Sequence, residues 1–583
     1  MSPRVSNRRI RLLLAVFVLA FGITLVRAMW LQGVRAASFE RLASRQHSQV
    51  VTIPAARGTI YDRGGVQLAI GEQATTVYAD PRLVRDPRQE ATVVARALRL
   101  DPNAVYARLT ERKRGFVYIQ RQADPALASK LARRDLPGLG FYPEEQRFYP
   151  QFSLAAQVLG FAGVDNRGLA GLELSLDHQL AGRPGTERIV KDASGQAIDT
   201  IQSRPERDGD DVYLTLDHTM QANAQAVLRE TVARWHARSA TAIVLDPRTG
   251  AVRAMAVAPG FDANRYSEVW RPLQRNRAVT DTYEPGSTFK LVTVAGALSE
   301  HLVTPSTSFT LPYSIQVADR VVHDAEPRGT ETMSVARILS QSSNVGAITL
   351  AEKLRRHRLA RWISRFGFGR RTGIDFPGES PGIVLPEQKW SGSTIGNVPI
   401  GQGIAVTPIQ MAAAYGAVAN RGVWVQPHLV DHVGDARSFV PRRRRVVSRT
   451  VSAQLVTMLK NVVAEGTGTE AVVPGYQVAG KTGTAAKPDP QGGYSDSRYV
   501  ASFVGIVPAS RPRLVILVSV DEPRGAIWGG VVAAPAFAQI ARFDLQYLDG
   551  GVRPDAPASA SALGSSLSGS GGSAYTGTYA PAG

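Results

Sequence analysis

Residues 240–259, ATAIVLDPRTGAVRAMAVAP, read as a β-hairpin. Thr241–Leu245 and Val252–Val257 are apolar runs of strand length, and Asp246–Gly250 between them carries the Asp-Pro and Gly of a turn. Three more strand-like runs stand far downstream: YQVAGKTGTAAK from Tyr476, YVASFVGIVPA from Tyr499 and RLVILVSVDEP from Arg513. The chain between hairpin and late strands reads as helical to about residue 465. Strands at both ends of a helical stretch predict an antiparallel sheet whose first and last parts meet, packed on helices, which is an α+β fold.

Three short motifs lie within that frame. Ser287-Thr288-Phe289-Lys290 is the only Ser-x-x-Lys formed by the nine lysines, and it follows Pro285-Gly286 and opens a helical run. Spacing of i,i+3 stacks Ser287 and Lys290 on one face. Ser342-Ser343-Asn344 sits at the foot of a second helical segment, and Lys481-Thr482-Gly483-Thr484 opens the late sheet. Taken singly, the first would be a surface serine with a solvated lysine and the second a polar turn. The three in this order, on helix, inter-helix turn and strand, form the signature of penicillin-binding proteins and serine β-lactamases.

Composition narrows the chemistry. The 583 residues carry a formal charge of +19 and contain no cysteine. Disulfides, thiolate nucleophiles, iron–sulfur clusters and Cys-type zinc sites are therefore excluded, and the nucleophile must be oxygen or nitrogen. A serine hydroxyl needs an adjacent base. Lys290 can serve once it loses its proton, and both burial and a second cation at Lys481 would lower its pKa. The nine histidines show no metal spacing and no Gly-x-Ser-x-Gly elbow accompanies them, so they read as structural or surface residues. Arginine dominates the basic residues and is scattered, with one short run at Arg442–Arg445 and no arrayed aromatics. That pattern predicts no nucleic-acid partner and suits an anionic membrane or cell-wall surface.

The ends differ from the body. After Arg4, Arg8, Arg9 and Arg11, residues 12–31 form an apolar run interrupted by Arg27. It reads as a transmembrane anchor with Arg27 snorkelling and Trp30 at the interface, and a cleaved signal peptide is the competing reading. The expected organisation is a cytoplasmic N-terminus (1–11), an anchor (12–31), a linker (32–50), a domain at 51–210 with a helix at Glu90–Leu100, a catalytic domain at 211–547, and a tail at 548–583. That tail is Ala, Ser, Gly and Pro with few large apolar residues, which predicts disorder.

From the anchor to about residue 547 the chain resembles the class B penicillin-binding proteins, most closely the division-type peptidoglycan D,D-transpeptidases (FtsI type). Beyond the three motifs, the resemblance rests on RGTIYDRGG from Arg57 to Gly65, Arg147-Phe148-Tyr149-Pro150, Gly171-Leu172-Glu173 and Asn276-Arg277-Ala278. It continues through FGFG at 366–369, Thr372-Gly373-Ile374-Asp375, Gly401-Gln402-Gly403 and Val406-Thr407-Pro408. Gly64 departs from the family's usual asparagine.

The resemblance implies a transpeptidase domain on a pedestal of the dimerisation type, with catalytic Ser287, Lys290, Ser342, Asn344 and Lys481. Ser287 would attack the penultimate D-Ala carbonyl, Ser342 would relay a proton, and Asn344 would hold the peptide and orient Lys290. Lys481, Thr482 and Thr484 would address the terminal carboxylate, and Gly483 would let a substrate strand approach. Backbone N–H groups of Ser287 and Thr484 would form the oxyanion hole. No cofactor or metal is implied. The implied partners are stem peptides, β-lactams, the cytoplasmic membrane, a SEDS-family glycosyltransferase and divisome proteins. An elongation-type transpeptidase, a D,D-carboxypeptidase or a β-lactamase could carry the same motifs, as could a sensor or scaffold. The anchor, the pedestal and the wide Ser342-to-Lys481 spacing argue against a compact β-lactamase.

Overall fold

The computed structural model describes residues 3–33, 48–191, 197–489 and 491–548. The expected tail, and most of the expected linker, lie outside these residues. The chain divides into two compact units, 1–58 with 181–210 and 59–180 with 211–583.

The first unit opens with one uninterrupted helix, Pro3–Gly33, whose stretch Asn7–Gly33 has a mean hydropathy of 2.4 in its most apolar window. The predicted span 12–31 falls wholly inside it, and Arg27 does not break it because arginine is a good helix former. The unit also holds a three-stranded antiparallel sheet in which Gly185–Lys191 pairs with both Ser48–Ile53 and Ala197–Arg204.

In the second unit the frame that carries the three motifs consists of helix α1 (His218–Arg234), strands β1 (Ser239–Leu245) and β2 (Val252–Ala258), helices α2 (Lys290–Ser299), α3 (Asn344–Leu354), α4 (Pro408–Ala419) and α5 (Arg449–Ala464), strands β3 (Ala479–Pro488), β4 (Tyr494–Val507) and β5 (Leu514–Asp521), and helix α6 (Ala534–Tyr547). The sheet order is β2-β1-β5-β4-β3, antiparallel throughout, with Ser239 opposite Asp521. The quoted hairpin and the last strand therefore do meet. Both faces of the sheet are covered. Ala240, Ala242 and Val244 pack in one core with Met220 and Leu228 of α1 and Phe537 and Ile540 of α6. Ile243 and Leu245 belong to the other core, with Leu291 of α2, Tyr415 of α4 and Leu455 of α5. Burial on both faces explains why β1 reads as a continuous apolar run rather than an alternating one.

The pedestal part folds around a mixed sheet in which Gln67–Ala79 pairs with Ile60–Tyr61, Val117–Ala123 and Leu139–Phe148. Ile60–Tyr61 also runs parallel to Val212–Leu214, which in turn pairs with Val430–Val433. At its centre Arg147 and Glu173 form a buried ion pair, Nε to Oε1 at 2.6 Å, with side chains 1% and 0% exposed. The hydroxyl of Tyr149 donates to the same carboxylate oxygen and accepts the N–H of Ala162.

Two expectations need correction. The first pedestal helix runs Pro87–Leu98 rather than Glu90–Leu100, because Asp86 caps it by accepting the N–H groups of Arg88 and Gln89 and Arg99 leaves it in the left-handed region. The stretch to residue 465 is not continuously helical. It contains the hairpin Ser314–Val317 with Arg320–His323, and Ser308–Leu311 pairs with Glu331–Ser334. Those four-residue strands lie largely at the surface, so they carry no run of apolar residues to announce them.

Candidate active site

Ser287 lies in a single 3₁₀ turn, Gly286–Phe289, from which α2 continues at Lys290. The turn is held on three sides. Gly286 donates its N–H to the carbonyl of Gly401, Thr288 bonds the carbonyl of Pro285, and the buried Tyr415 hydroxyl donates to the carbonyl of Thr288. Close approach dictates the glycines here. A Cβ on Gly401 would lie 2.1 Å from the carbonyl oxygen of Gly286, and one on Gly483 would lie 2.4 Å from Ser502 Oγ and 2.8 Å from the Pro285 carbonyl oxygen. Gly483 is thus required to seat the Ser287 turn against β3. The room a side chain would take there is filled by protein, a packing requirement that the sequence reading did not include.

Lys290 is 1% exposed. Its ammonium donates to Asn344 Oδ1 at 2.7 Å, to Ser342 Oγ at 3.2 Å and to the Ser342 carbonyl oxygen. That carbonyl is turned inward because Ser342 adopts φ +58°, a left-handed conformation that a serine holds only when its surroundings impose it. Burial pulls Lys290 down to about 7, against the opposing charge of Asp324. Ser287 Oγ has no hydrogen-bond partner among the described residues, so the expected Ser287–Lys290 pairing is one of shared face rather than direct contact.

Lys481, on β3, is fully buried and contacts Thr482 Oγ1 at 3.2 Å and Thr467 Oγ1 at 3.5 Å. Burial, and then the neighbouring Lys290, push it well below the ordinary lysine range. The hydroxyls of Thr482 and Thr467 lie 2.7 Å apart, and Thr484 Oγ1 accepts the N–H of Gly529. The structure therefore brings Lys290, Ser342 and Asn344 into one hydrogen-bonded group, and sets Lys481 and Thr482 in a second group beside it.

Two residues of this site escaped the sequence reading. Asp324 accepts both from Ser343 Oγ at 3.0 Å and from the N–H of Val345 at 3.0 Å, and it is bound in turn by Arg328. Ser343 caps α3 by accepting the Gly346 N–H, so Asp324 bolts the turn that presents Ser342 and Asn344. Asn344 Nδ2 is tied to the carbonyl of His323 at 2.9 Å, which fixes its amide so that Oδ1 faces Lys290. Thr467 is the second, and its only local signal is the Gly466-Thr467-Gly468-Thr469 repeat.

Other motifs quoted for the resemblance are structural. Asp375 accepts the N–H groups of Leu429 and Val430 at 2.7 Å each, and Thr407 with Gln410 forms a capping box on α4. In the Arg57–Gly65 segment, Asp62 accepts from the N–H groups of Gly64, Val66 and His218. Gly65, at φ +83°, makes the turn there.

Comparison with known proteins identifies the family. A family model described as the penicillin-binding protein transpeptidase domain matches residues 240–542, and one described as the penicillin-binding protein dimerisation domain matches residues 52–214. The chain is 35% identical to stage V sporulation protein D of Bacillus subtilis, covering 94% of this chain and 88% of the relative. It is 32% identical to peptidoglycan D,D-transpeptidase FtsI of Escherichia coli, covering 94% and 93%. Among solved structures, penicillin-binding protein 3 of Mycobacterium tuberculosis in complex with aztreonam superposes with a TM-score of 0.68 at 32% identity, over 86% of this chain and 98% of that one.

Proposed function

Since this chain belongs to the class B penicillin-binding proteins and is a peptidoglycan D,D-transpeptidase, we propose that Ser287 is its nucleophile and that the reaction passes through an acyl-enzyme on that serine. The observation that carries the reading is the burial of Lys290 at the foot of the Ser287 turn. It is held by Asn344 and Ser342 with no carboxylate within ion-pair distance among the described residues. A lysine so placed gives up its proton near neutral pH and can accept one from a serine.

The two depressed lysines act together. An arriving D-Ala carboxylate beside Lys481 favours the charged form of Lys481, and that charge disfavours a proton on Lys290. Substrate binding thereby prepares the base. Ser287 Oγ then attacks the penultimate D-Ala carbonyl carbon while its proton passes to Lys290. The oxyanion meets the backbone N–H groups of Ser287 and Thr484, and β3 supports this as an edge strand whose outward side has no sheet partner among the described residues. When the tetrahedral centre collapses, the C–N bond breaks and the proton reaches the leaving amine through Ser342, releasing D-Ala. The amine of a second stem peptide then attacks the ester and restores Ser287.

The helix Pro3–Gly33 would anchor the enzyme with its arginine-rich end in the cytoplasm and the catalytic unit outside. A septal role, beside a SEDS-family glycosyltransferase, is supported by likeness to FtsI-named relatives. Two measurements test these readings. Fluorescent penicillin should label the full chain stably and fail to label Ser287→Ala; a label that persists in the variant refutes the nucleophile. Depletion in the source cell should give filaments, and rounded cells would assign the enzyme to the lateral wall.

A further inference from the structure

Away from Ser287, a groove of about 1070 Å³ runs between α5, the C-terminal end of α4 and the turn joining β4 to β5. Arg248, Arg421, Arg443, Arg449, Lys460 and Arg511 line it, and no Asp or Glu does. Arg421, Arg443, Arg449 and Arg511 have no carboxylate partner among the described residues. This is not simply the chain's arginine excess. In the cavity of about 260 Å³ behind the nucleophile turn, Arg277 is paired with Asp281 at 3.3 Å and Lys487 with Asp521 at 2.7 Å. The cations of that cavity are paired with carboxylates, whereas four of the groove arginines are not, with Arg248 alone among those named held by a carboxylate, Asp246 at 3.5 Å.

Apolar residues share the lining: Val418 and Ala419 of α4, Ala453 and Val456 of α5, and Pro508 with Ala509 stand beside the polar Asn420, Ser452, Thr457 and Ser510. On α5 the spacing of Arg449, Ala453, Val456 and Lys460 places all four on one stripe of a helix 16 residues long, with its positive N-terminal end at the Arg449 side. No aromatic side chain lines the groove, so it offers no stacking platform for nucleobases. The charges surround a recess rather than project from a plane, so they do not match the flat headgroup layer of a bilayer.

We propose that this groove is a docking site for an acidic, amphipathic segment of a second protein, whose carboxylates pair with the arginine rim and whose apolar residues meet Ala453 and Val456. It shares no residue with the nucleophile site and does not rest on the assignment of Ser287. Arg443 belongs to the Arg442–Arg445 run, which the catalytic reading leaves without a role.

The test uses the full chain in detergent and a fluorescein-labelled peptide of about 16 residues alternating glutamate with leucine or alanine, matched to the length of α5. Anisotropy should show saturable binding that weakens with salt, and Arg449→Glu with Arg511→Glu should raise Kd at least about tenfold. Arg112→Glu with Lys113→Glu, exposed in the pedestal, should change it less than about twofold. Both variants should take fluorescent penicillin at the wild-type rate, which reports an intact fold. The proposal is overturned if the peptide does not bind, or if the two double variants lose binding equally. It also fails if a polyglutamate peptide without apolar residues binds as tightly, or if phosphatidylglycerol vesicles or single-stranded DNA displace the peptide at equal charge.

Discussion

The pedestal and the active site both bury positive charge, and they treat it in opposite ways. In the pedestal, Arg147 is enclosed with a carboxylate 2.6 Å away, and the pair serves as a structural pin. At the active site, Lys290 and Lys481 are equally enclosed but contact only hydroxyls, carbonyls and an amide, and they face one another's charge. Arginine cannot give up its proton and lysine can, so the residue types match the tasks. A buried cation with a partner holds the fold, and one without a partner is ready to exchange a proton.

The sharpest way to break this contrast is Lys290→Arg. The charge and most of the volume remain, but the base is lost, so the acylation rate by penicillin should fall by about 10³-fold or more. A rate within tenfold of wild type would remove Lys290 from proton transfer. The converse is Glu173→Ala, which strands Arg147 without its carboxylate and should lower stability by about 3–5 kcal/mol in urea unfolding. Acylation per folded molecule should stay nearly unchanged. If acylation collapsed while stability held, the pedestal pair would be part of the chemistry.

Acidity tests the lysine side directly. Because the base must be neutral and Lys290 titrates at about 7, acylation should level off above that pH. Below it, the rate should decline about tenfold per pH unit. A flat profile between about pH 5 and 9 would contradict the depression of Lys290. Asp324→Asn should have the smallest effect. Asp324 holds Lys290 up, so removing its charge should shift the midpoint of that profile to lower pH, and a shift upward would reverse the assigned sign.

The sequence shows what is locally encoded. Ser287, Lys290, Ser342, Asn344 and Lys481 stand out because the chemistry demands those residue types in short motifs, and the hairpin at Thr241–Val257 because strand length and turn residues agree. Asp324 and Thr467 do not stand out, since each is a single common residue delivered from a distance to a motif that looks complete without it. Arg147 and Glu173 were visible only as members of a resemblance, and nothing local reveals that they pair. The packing demand at Gly483 is hidden for a similar reason: its neighbour is the Pro285 carbonyl, almost two hundred residues earlier in the chain.

The position of β5 bears on how the enzyme is made. It lies in the middle of the sheet, between β1 and β4, although it is the last strand to be synthesised. During synthesis, β1 must wait with an unpaired, strongly apolar edge while the helices, the Ser287 turn and two further strands follow it. A nascent chain stopped before Leu514 would carry every catalytic residue and still lack the strand that joins the Lys481 hairpin to the hairpin beside α1. Competence to react with penicillin should therefore arise in one step at the end of synthesis, and the long interval before it is where chaperones have most to protect.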